Sequence, residues 1–306
     1  MEQIDSIRIN FNPDQLFILN LCLAFLMFGV ALDLKISNFR YLFKNPKAPL
    51  TGLGSQWLFL PLLTLLLIYL FEPPASLGLG MVLVAACPGG NVSNFAVALA
   101  GANAALSVFL TTVSTLGATV LTPLYFTLLS PLIPGAESLR QSIYVNPANM
   151  VNTIVQLIII PLLLGMLMRA YLPRLTDKIH RPVRILSMAV FVGFVIVAVY
   201  SNFDNIVNYL HIVFLLVVTH NALALFGGYW IARGSSLPEQ DARAISLETG
   251  IQNSGLGLIL IFNFFDGLGG MALIAAWWGI WHLVSAFTLA IFWGKENAVL
   301  LSSKGG

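Results

Sequence analysis

The octapeptide Cys87-Pro-Gly-Gly-Asn-Val-Ser-Asn94 lies between two apolar runs, LGLGMVLVAA at 77–86 and FAVALAG at 95–101. One proline, two glycines and three polar side chains interrupt what is otherwise a single hydrophobic segment. Pro88 carries no N–H and its ring crowds the preceding turn, so a helix entering from 77–86 stops there. The stop frees carbonyls at the end of one half-helix and N–H groups at the start of the next. In hydrocarbon such groups must be satisfied, so a break persists only inside protein or beside a wet cavity. The carbonyls and negative helix end suit cations, and the N–H groups and positive helix start suit anions. Gly89 and Gly90 are read as permitting a tight turn and a close approach of backbones.

The rest of the chain places this break in a bilayer. Of 306 residues, 58% are hydrophobic and only 9% are charged, against roughly 25% charged in soluble domains. So few charges cannot cover a water-facing surface. The net charge of +2 says nothing of partners, though its distribution does; membrane lipid is expected as a partner and nucleic acid is not. The two cysteines, Cys22 and Cys87, lie in apolar runs without disulfide or metal-ligand spacing. The first residues, MEQIDSIRINFNPDQ, are polar and acidic, unlike a cleavable signal peptide.

A spanning helix needs about 20 mostly apolar residues. The pattern predicts an all-α membrane protein with nine spans, at 16–33, 49–71, 75–101, 104–130, 147–171, 183–201, 207–233, 239–265 and 270–293. With alternating spans, 13 of the 15 basic residues fall on the side that receives the C-terminus. Only Arg8 and Arg140 fall on the other. The positive-inside rule then puts the N-terminus out and the C-terminus in the cytoplasm.

Twelve of the 13 acidic residues lie near an interface; Glu248 lies about mid-bilayer in the eighth span. A carboxylate there costs about 2.5 kcal/mol or more and by default marks function. It opens a second interruption, Glu248-Thr-Gly-Ile-Gln-Asn-Ser-Gly255, between DARAIS and LGLILIFNFF. Spans 3 and 8 thus share one plan: an apolar half, a Gly-rich polar centre, an apolar half. Five spans apart, they cross in opposite directions, so spans 1–4 and 6–9 read as inverted repeats with two discontinuous helices. Paired interruptions at matching positions point to a transporter's binding site. Gly250 and Gly255 are read in the second break as Gly89 and Gly90 are in the first.

Each of these features has a plainer reading. A Pro-Gly kink alone is common in membrane helices. Hydroxyls in spans mostly bond back to their own helix carbonyls, which is the ordinary fate of a pair such as Ser107 and Thr111. His220 and His282 read as packed or hydrogen-bonded groups rather than metal ligands, and Asn263 as a helix-end group. Asn91-Val-Ser93 matches a glycosylation sequon but sits inside an apolar segment. A single deep acid inside the second of two matched breaks has no such plain reading. No Ser/His or paired-Asp constellation supports an enzyme. Proton coupling through a titrating Glu248 and a membrane ligand sensor are the alternatives to sodium coupling.

CPGGNVSN at 87–94, ALSVFLTTVSTL at 105–116 and ETGIQNSG at 248–255 resemble the bile acid:sodium symporter family. Weaker matches are LMFGVALDLK at 26–35, Gln56, THN at 219–221 and WH at 281–282. The resemblance implies a tail at 1–14 outside the cell and a panel domain at 15–45 and 147–203 (spans 1, 5 and 6). It implies a core domain at 46–132 and 204–294 (spans 2–4 and 7–9) and a cytoplasmic tail at 295–306. It implies two sodium ions, one on Ser93, Asn94, Ser107, Thr111 and Glu248. The second would lie on Gln56, Gln252 and backbone oxygens near Glu248, Thr249 and Ile251. An organic anion would sit around Asn91, Asn253 and His282, in a bacterial inner-membrane symporter working by alternating access. The chain departs from ten-span bacterial relatives in lacking their first span, and Leu283 follows His282 where some carry Asn. Independently, hydroxyl, amide and carbonyl oxygens around one carboxylate make a hard-oxygen cation site. Solute identity and oligomeric state leave no mark in the sequence.

Overall fold

The computed structural model describes residues 3–8, 13–32, 46–142, 146–201 and 203–303. Lys35, Arg40 and Lys44, part of the charge asymmetry, lie outside the described residues, as does Lys304. The described residues are helical, with no strand and only two isolated bridges. The helices are α1 (Gln3–Ser6), α2 (Pro13–Ala31), α3 (Lys47–Phe71), α4 (Ala75–Ala86), α5 (Ser93–Leu99) and α6 (Ala104–Leu129). They continue as α7 (Glu137–Ser142), α8 (Pro147–Tyr171), α9 (Pro173–Ser201) and α10 (Phe203–Gly234). The last are α11 (Glu239–Gly250), α12 (Ser254–Phe264) and α13 (Gly269–Ser303).

Among the described residues, five helical stretches are long and apolar enough to cross a membrane: Lys47–Phe71, Ala104–Leu132, Pro147–Tyr171, His211–Gly234 and Gly269–Glu296. Shorter apolar helices cover Leu16–Ala31, Ala75–Ala86 and Ser254–Phe264. Outward faces carry leucine where a soluble protein carries charge. On α3, Leu58, Leu62, Leu66 and Leu70 recur every fourth residue and are all more than half exposed. Such a stripe is costly in water and costs nothing against lipid tails.

Both matched segments are broken. α4 stops at Ala86 and the chain resumes as α5 at Ser93, while α11 stops at Gly250 and resumes as α12 at Ser254. Two apolar clusters flank the breaks. One contains Leu77, Val82 and Leu83 of α4 with Leu256, Ile259 and Leu260 of α12. The other contains Ala96 and Val97 of α5 with Ala244, Ile245 and Leu247 of α11. The first broken segment therefore runs from one cluster to the other, and the second runs back. Between the clusters the breaks touch. Gly89 and Gln252 form an antiparallel bridge. The Gly90 amide donates to Ile251 O at 2.9 Å, and the Asn253 amide to Pro88 O at 2.8 Å. Each break thus satisfies part of the backbone that the other one frees.

α3 and α8 each carry a five-residue π turn, at Ser55–Phe59 and Val155–Ile159. Proline explains both. Pro61 and Pro161 follow the turns and cannot bond to the carbonyls four residues back, at Trp57 and Leu157. The ladder slips by one, so the Leu60 amide bonds to Ser55 O and the Ile160 amide to Val155 O. In α3 the slip turns Ser55 and Gln56 inward side by side, and both are buried.

The helices that frame the breaks are pinned at their ends. α2 packs mainly on α8 and α9, α10 on α11, and α13 on α4 and α12. Residues 3–8, read as part of a tail, fold back onto the molecule. Ile4 is buried, and Asp5 Oδ1 accepts from the Ser76 amide at 2.8 Å, at the positive start of α4. Ile7 O accepts from the Gly269 amide at the start of α13. At the far end, buried Arg243 in α11 bonds Glu239 and Glu296 at 2.8 Å each and lies over the Trp293 ring. Asn103 donates to Asp241 at 2.7 Å, tying the α5–α6 turn to the same helix start.

Candidate functional site

Glu248 is the tenth residue of α11 and is fully buried. Its carboxylate is reached from three elements. Oε1 accepts from Ser93 at the start of α5 at 2.5 Å, from Ser107 of α6, and from Thr111 of α6 at 3.0 Å. Oε2 accepts from Thr111 at 3.0 Å, with the Gln56 amide at 3.4 Å. Ser107 also lies 2.8 Å from Asn94 Oδ1. The four-residue spacing of Ser107 and Thr111 puts both hydroxyls on the α6 face turned to Glu248. No Lys or Arg bonds this carboxylate among the described residues.

Counting hydrogens shows what the cluster lacks. Six oxygens meet here: two from Glu248 and one each from Ser93, Asn94, Ser107 and Thr111. The three hydroxyls supply one hydrogen each, and the carboxylate and amide oxygens supply none. Ser107 cannot donate to Glu248 and to Asn94 at once. An oxygen-rich, hydrogen-poor, negatively charged cluster fits a hard cation such as sodium.

A second group lies on the other side of the same carboxylate. Gln56 Nε2 donates to Glu248 O at 3.0 Å, and Gln252 Nε2 to Thr249 O at 3.0 Å. Ser55 and Thr249 hydroxyls meet at 2.8 Å. Gln56 Oε1 is buried and has no partner among the described residues. An orphaned carboxamide oxygen beside main-chain carbonyls fits a cation. Ile251 O already accepts from Gly90, and its second lone pair is available.

The positions assigned to an anion are less tightly assembled. Asn91 is half-buried, with Nδ2 4.0 Å from Met27 Sδ on α2. Asn253 caps α12: Oδ1 accepts from the Leu256 amide at 3.0 Å, leaving its Nδ2 donors. His282 is buried on α13, and among the described residues it makes no hydrogen bond to Asn91 or Asn253.

None of Gly89, Gly90, Gly250 and Gly255 has a left-handed backbone; among the described residues the glycines with positive φ are Gly101, Gly135 and Gly267. Gly89, Gly90 and Gly250 leave room for close neighbours. A β-carbon on Gly89 would lie 3.0 Å from Gln56 Nε2 and 3.1 Å from Glu248 Oε2, and one on Gly90 3.1 Å from Gln252 O. Gly250 leans on the Leu225 side chain, and Gly255 lies in the first turn of α12.

Several supports were not readable from the sequence. Ser114 accepts from the Gly89 amide at 3.2 Å, and Thr122 donates to Ala86 O, the last carbonyl of α4, at 2.6 Å. His220 pairs with Thr64 at 2.9 Å and stacks edge-on with Trp278. Asn263 is near a helix end as expected, but also reaches Asn20 of α2 at 3.2 Å. The only sequence signal for Thr122 is a hydroxyl in a span one residue before a proline. Thr122→Val keeps the shape and leaves Ala86 O unpaired, at a cost of about 1–3 kcal/mol. A lower melting temperature in detergent is expected, and an unchanged one would mean that this carbonyl does not depend on Thr122.

Comparison with known proteins agrees with this chemistry. Residues 20–209 match the Sodium Bile acid symporter family. The chain is 31% identical over 274 residues to "Uncharacterized sodium-dependent transporter YocS" of Bacillus subtilis, covering 90% of this chain and 82% of that protein. It is 31% identical over 277 residues to "Probable sodium/metabolite cotransporter BASS2, chloroplastic" of Oryza sativa, covering 83% of this chain and 62% of the rice protein. A similar match, 31% over 287 residues, joins it to "Probable sodium/metabolite cotransporter BASS6, chloroplastic" of Arabidopsis thaliana, with 90% and 68% covered. On its matched stretch, its apolar helices and these relatives, the chain is an integral membrane protein of the sodium bile acid symporter family, a family of transporters and not of enzymes.

Proposed function

We propose that the protein is a symporter that carries an organic anion with sodium. The observation that carries this reading is the enclosure of Glu248 by three hydroxyls, with no basic partner among the described residues, where two broken helices pair. Two sodium ions enter as co-transported substrates. One is held by Ser93, Asn94, Ser107, Thr111 and Glu248, the other by Gln56, Gln252 and carbonyls of Glu248, Thr249 and Ile251. One carboxylate against two cations leaves a local charge of +1, which an organic anion offsets. The anion docks near Asn91, Asn253 and His282, where the starts of α5 and α12 offer positive helix ends. Bile acids, steroid conjugates and small carboxylates are the solutes of this class.

Nine spans, with the N-terminus out and the C-terminus in, give the two broken helices opposite directions. Spans 1–4 and 6–9 are then inverted repeats. The panel consists of α2, α8 and α9 and the core of α3–α6 and α10–α13. The packing of α2 on α8 and α9 supports that division. Solute is exposed to each side in turn as core moves against panel. Sodium orders the breaks, the anion binds the ordered form, and each raises the other's affinity by the same factor.

Melting temperature tests this directly. Anionic metabolites are screened in sodium chloride and in choline chloride. A ligand at 100 times its dissociation constant stabilises by about 2.7 kcal/mol. One anion that stabilises in sodium and not in choline is the expected result. Equal stabilisation in both salts, or liposome uptake driven by a pH gradient and indifferent to sodium, would overturn sodium coupling.

A further inference from the structure

The end of α11 is held by a strut whose far end is on α13. Gly250 is the last residue of that helix, and the break leaves its carbonyl without the usual partner four residues on; the Ser254 amide bonds to Gln252 O instead. In a fully buried setting an unpaired carbonyl is costly. Asn221, on the continuous helix α10, meets it with Nδ2 at 2.7 Å and is itself fully buried. Asn221 Oδ1 accepts from Ser285 Oγ of α13 at 2.6 Å. Ser285 lies one turn after His282, 3.3 Å from that residue's carbonyl.

The orientation of Asn221 follows from its two partners. Gly250 O can only accept, so Nδ2 must face it, and Oδ1 then needs the Ser285 hydrogen. Loss of the hydroxyl frees the carboxamide to turn and strands the carbonyl. The end of α11 is otherwise pressed close to α10. Ser246 donates to Leu225 O at 2.7 Å, and a β-carbon on Gly228 would lie 2.9 Å from Thr249 Oγ1. A small rotation at Gly250 therefore moves the carbonyls on either side of it, at Thr249 and Ile251. The other break is built differently, with Thr122 bonding Ala86 O directly.

We infer that Asn221 and Ser285 are positioning residues for the second sodium site: the Ser285–Asn221–Gly250 chain aims the carbonyls of residues 248–251 and so sets sodium affinity. The inference rests on reading that segment as a sodium site. Outer partners of this kind change metal affinity by about 10-fold to 100-fold when removed.

The test titrates sodium chloride against choline chloride at constant ionic strength and reads the melting temperature of the purified protein. The wild type is compared with Asn221→Ala, Ser285→Ala and Ser285→Thr. The half-saturating sodium concentration is expected to rise about 10-fold or more in the two alanine variants. Ser285→Thr keeps the hydroxyl and returns it to near the wild-type value. A purely structural role would lower the melting temperature equally in both salts and leave half-saturation unchanged, which overturns the inference. Should Asn221→Ala fail to fold, the half-buried Ser285 pair of variants decides it alone. A wild type without sodium-specific stabilisation would remove the sodium reading itself, and the strut with it. A responsive wild type with unaffected variants would remove only the strut.

Discussion

Glu248→Gln is expected to abolish the sodium-specific stabilisation of the protein and, with a solute in hand, its sodium-driven uptake. The substitution keeps the shape of the side chain and removes its charge. It also brings an NH2 group into a cluster already supplied with the hydroxyls of Ser93, Ser107 and Thr111. Both candidate cation groups share this residue, one through its carboxylate and one through its carbonyl. The carbonyl survives the change, so the first group is hit hardest. A loss of at least about 100-fold in sodium affinity, near 2.7 kcal/mol, is expected. Titration of the melting temperature with sodium, at matched yield of membrane-inserted protein, reads it. A normal sodium response in the variant would take Glu248 out of the site.

The other large effect is expected from Gly90→Ala. Gly90 donates its amide to Ile251 O at 2.9 Å. A β-carbon there would lie 3.0 Å from Ile251 Cγ2, 3.1 Å from Gln252 O and 3.3 Å from Gln252 C. Two of these three are backbone atoms of the facing break, which cannot swing aside as a flexible side chain does. The methyl therefore pushes the two breaks apart and opens the Gly89–Gln252 pairing. Overpacking of this kind costs about 1–3 kcal/mol, and the carbonyls of the second candidate cation group shift with it. A lower melting temperature and a sodium response weakened about 10-fold or more are expected. Gly54→Ala is the control: a β-carbon there has no atom within 4 Å, so the sodium response should not change and the melting temperature should hold or rise, as for alanine replacing glycine inside a helix. Equal behaviour of the two variants would mean that the breaks do not depend on close contact.

The sequence carried the breaks and the acid but not the supports. Pro88 and the Gly-rich polar runs mark where α4 and α11 end because proline chemistry and composition are local. Glu248 stands out because a lone carboxylate deep in an apolar span is costly wherever it points. Ser107 and Thr111 share a face by helix geometry alone. By contrast, the contact of Gln56 with Glu248 joins residues 192 positions apart, and no periodicity encodes it. The π turn hides it further, since the slipped ladder rotates Ser55 and Gln56 away from the faces that a 3.6-residue period assigns. Thr122 is an ordinary hydroxyl in a span, and Asn221 is marked in the sequence only as part of THN; the ends of α4 and α11 beside them give them a task. The close approach expected of the break glycines is visible in the sequence only as a residue type; that Gly90 faces the backbone of the other break while Gly89 and Gly250 face side chains is set by the packing. The docking of residues 3–8 on α4 and α13 likewise depends on which helix starts come together outside the breaks.

The most direct measurement is an experimental map of the purified protein in sodium chloride, compared with one in choline chloride. Ion density is expected among Ser93, Asn94, Ser107, Thr111 and Glu248, and beside Gln56 and Gln252, in sodium alone, with residues 87–94 and 248–255 broken and paired. Maps that are identical in the two salts at both places, or continuous helices far apart through those residues, would contradict it.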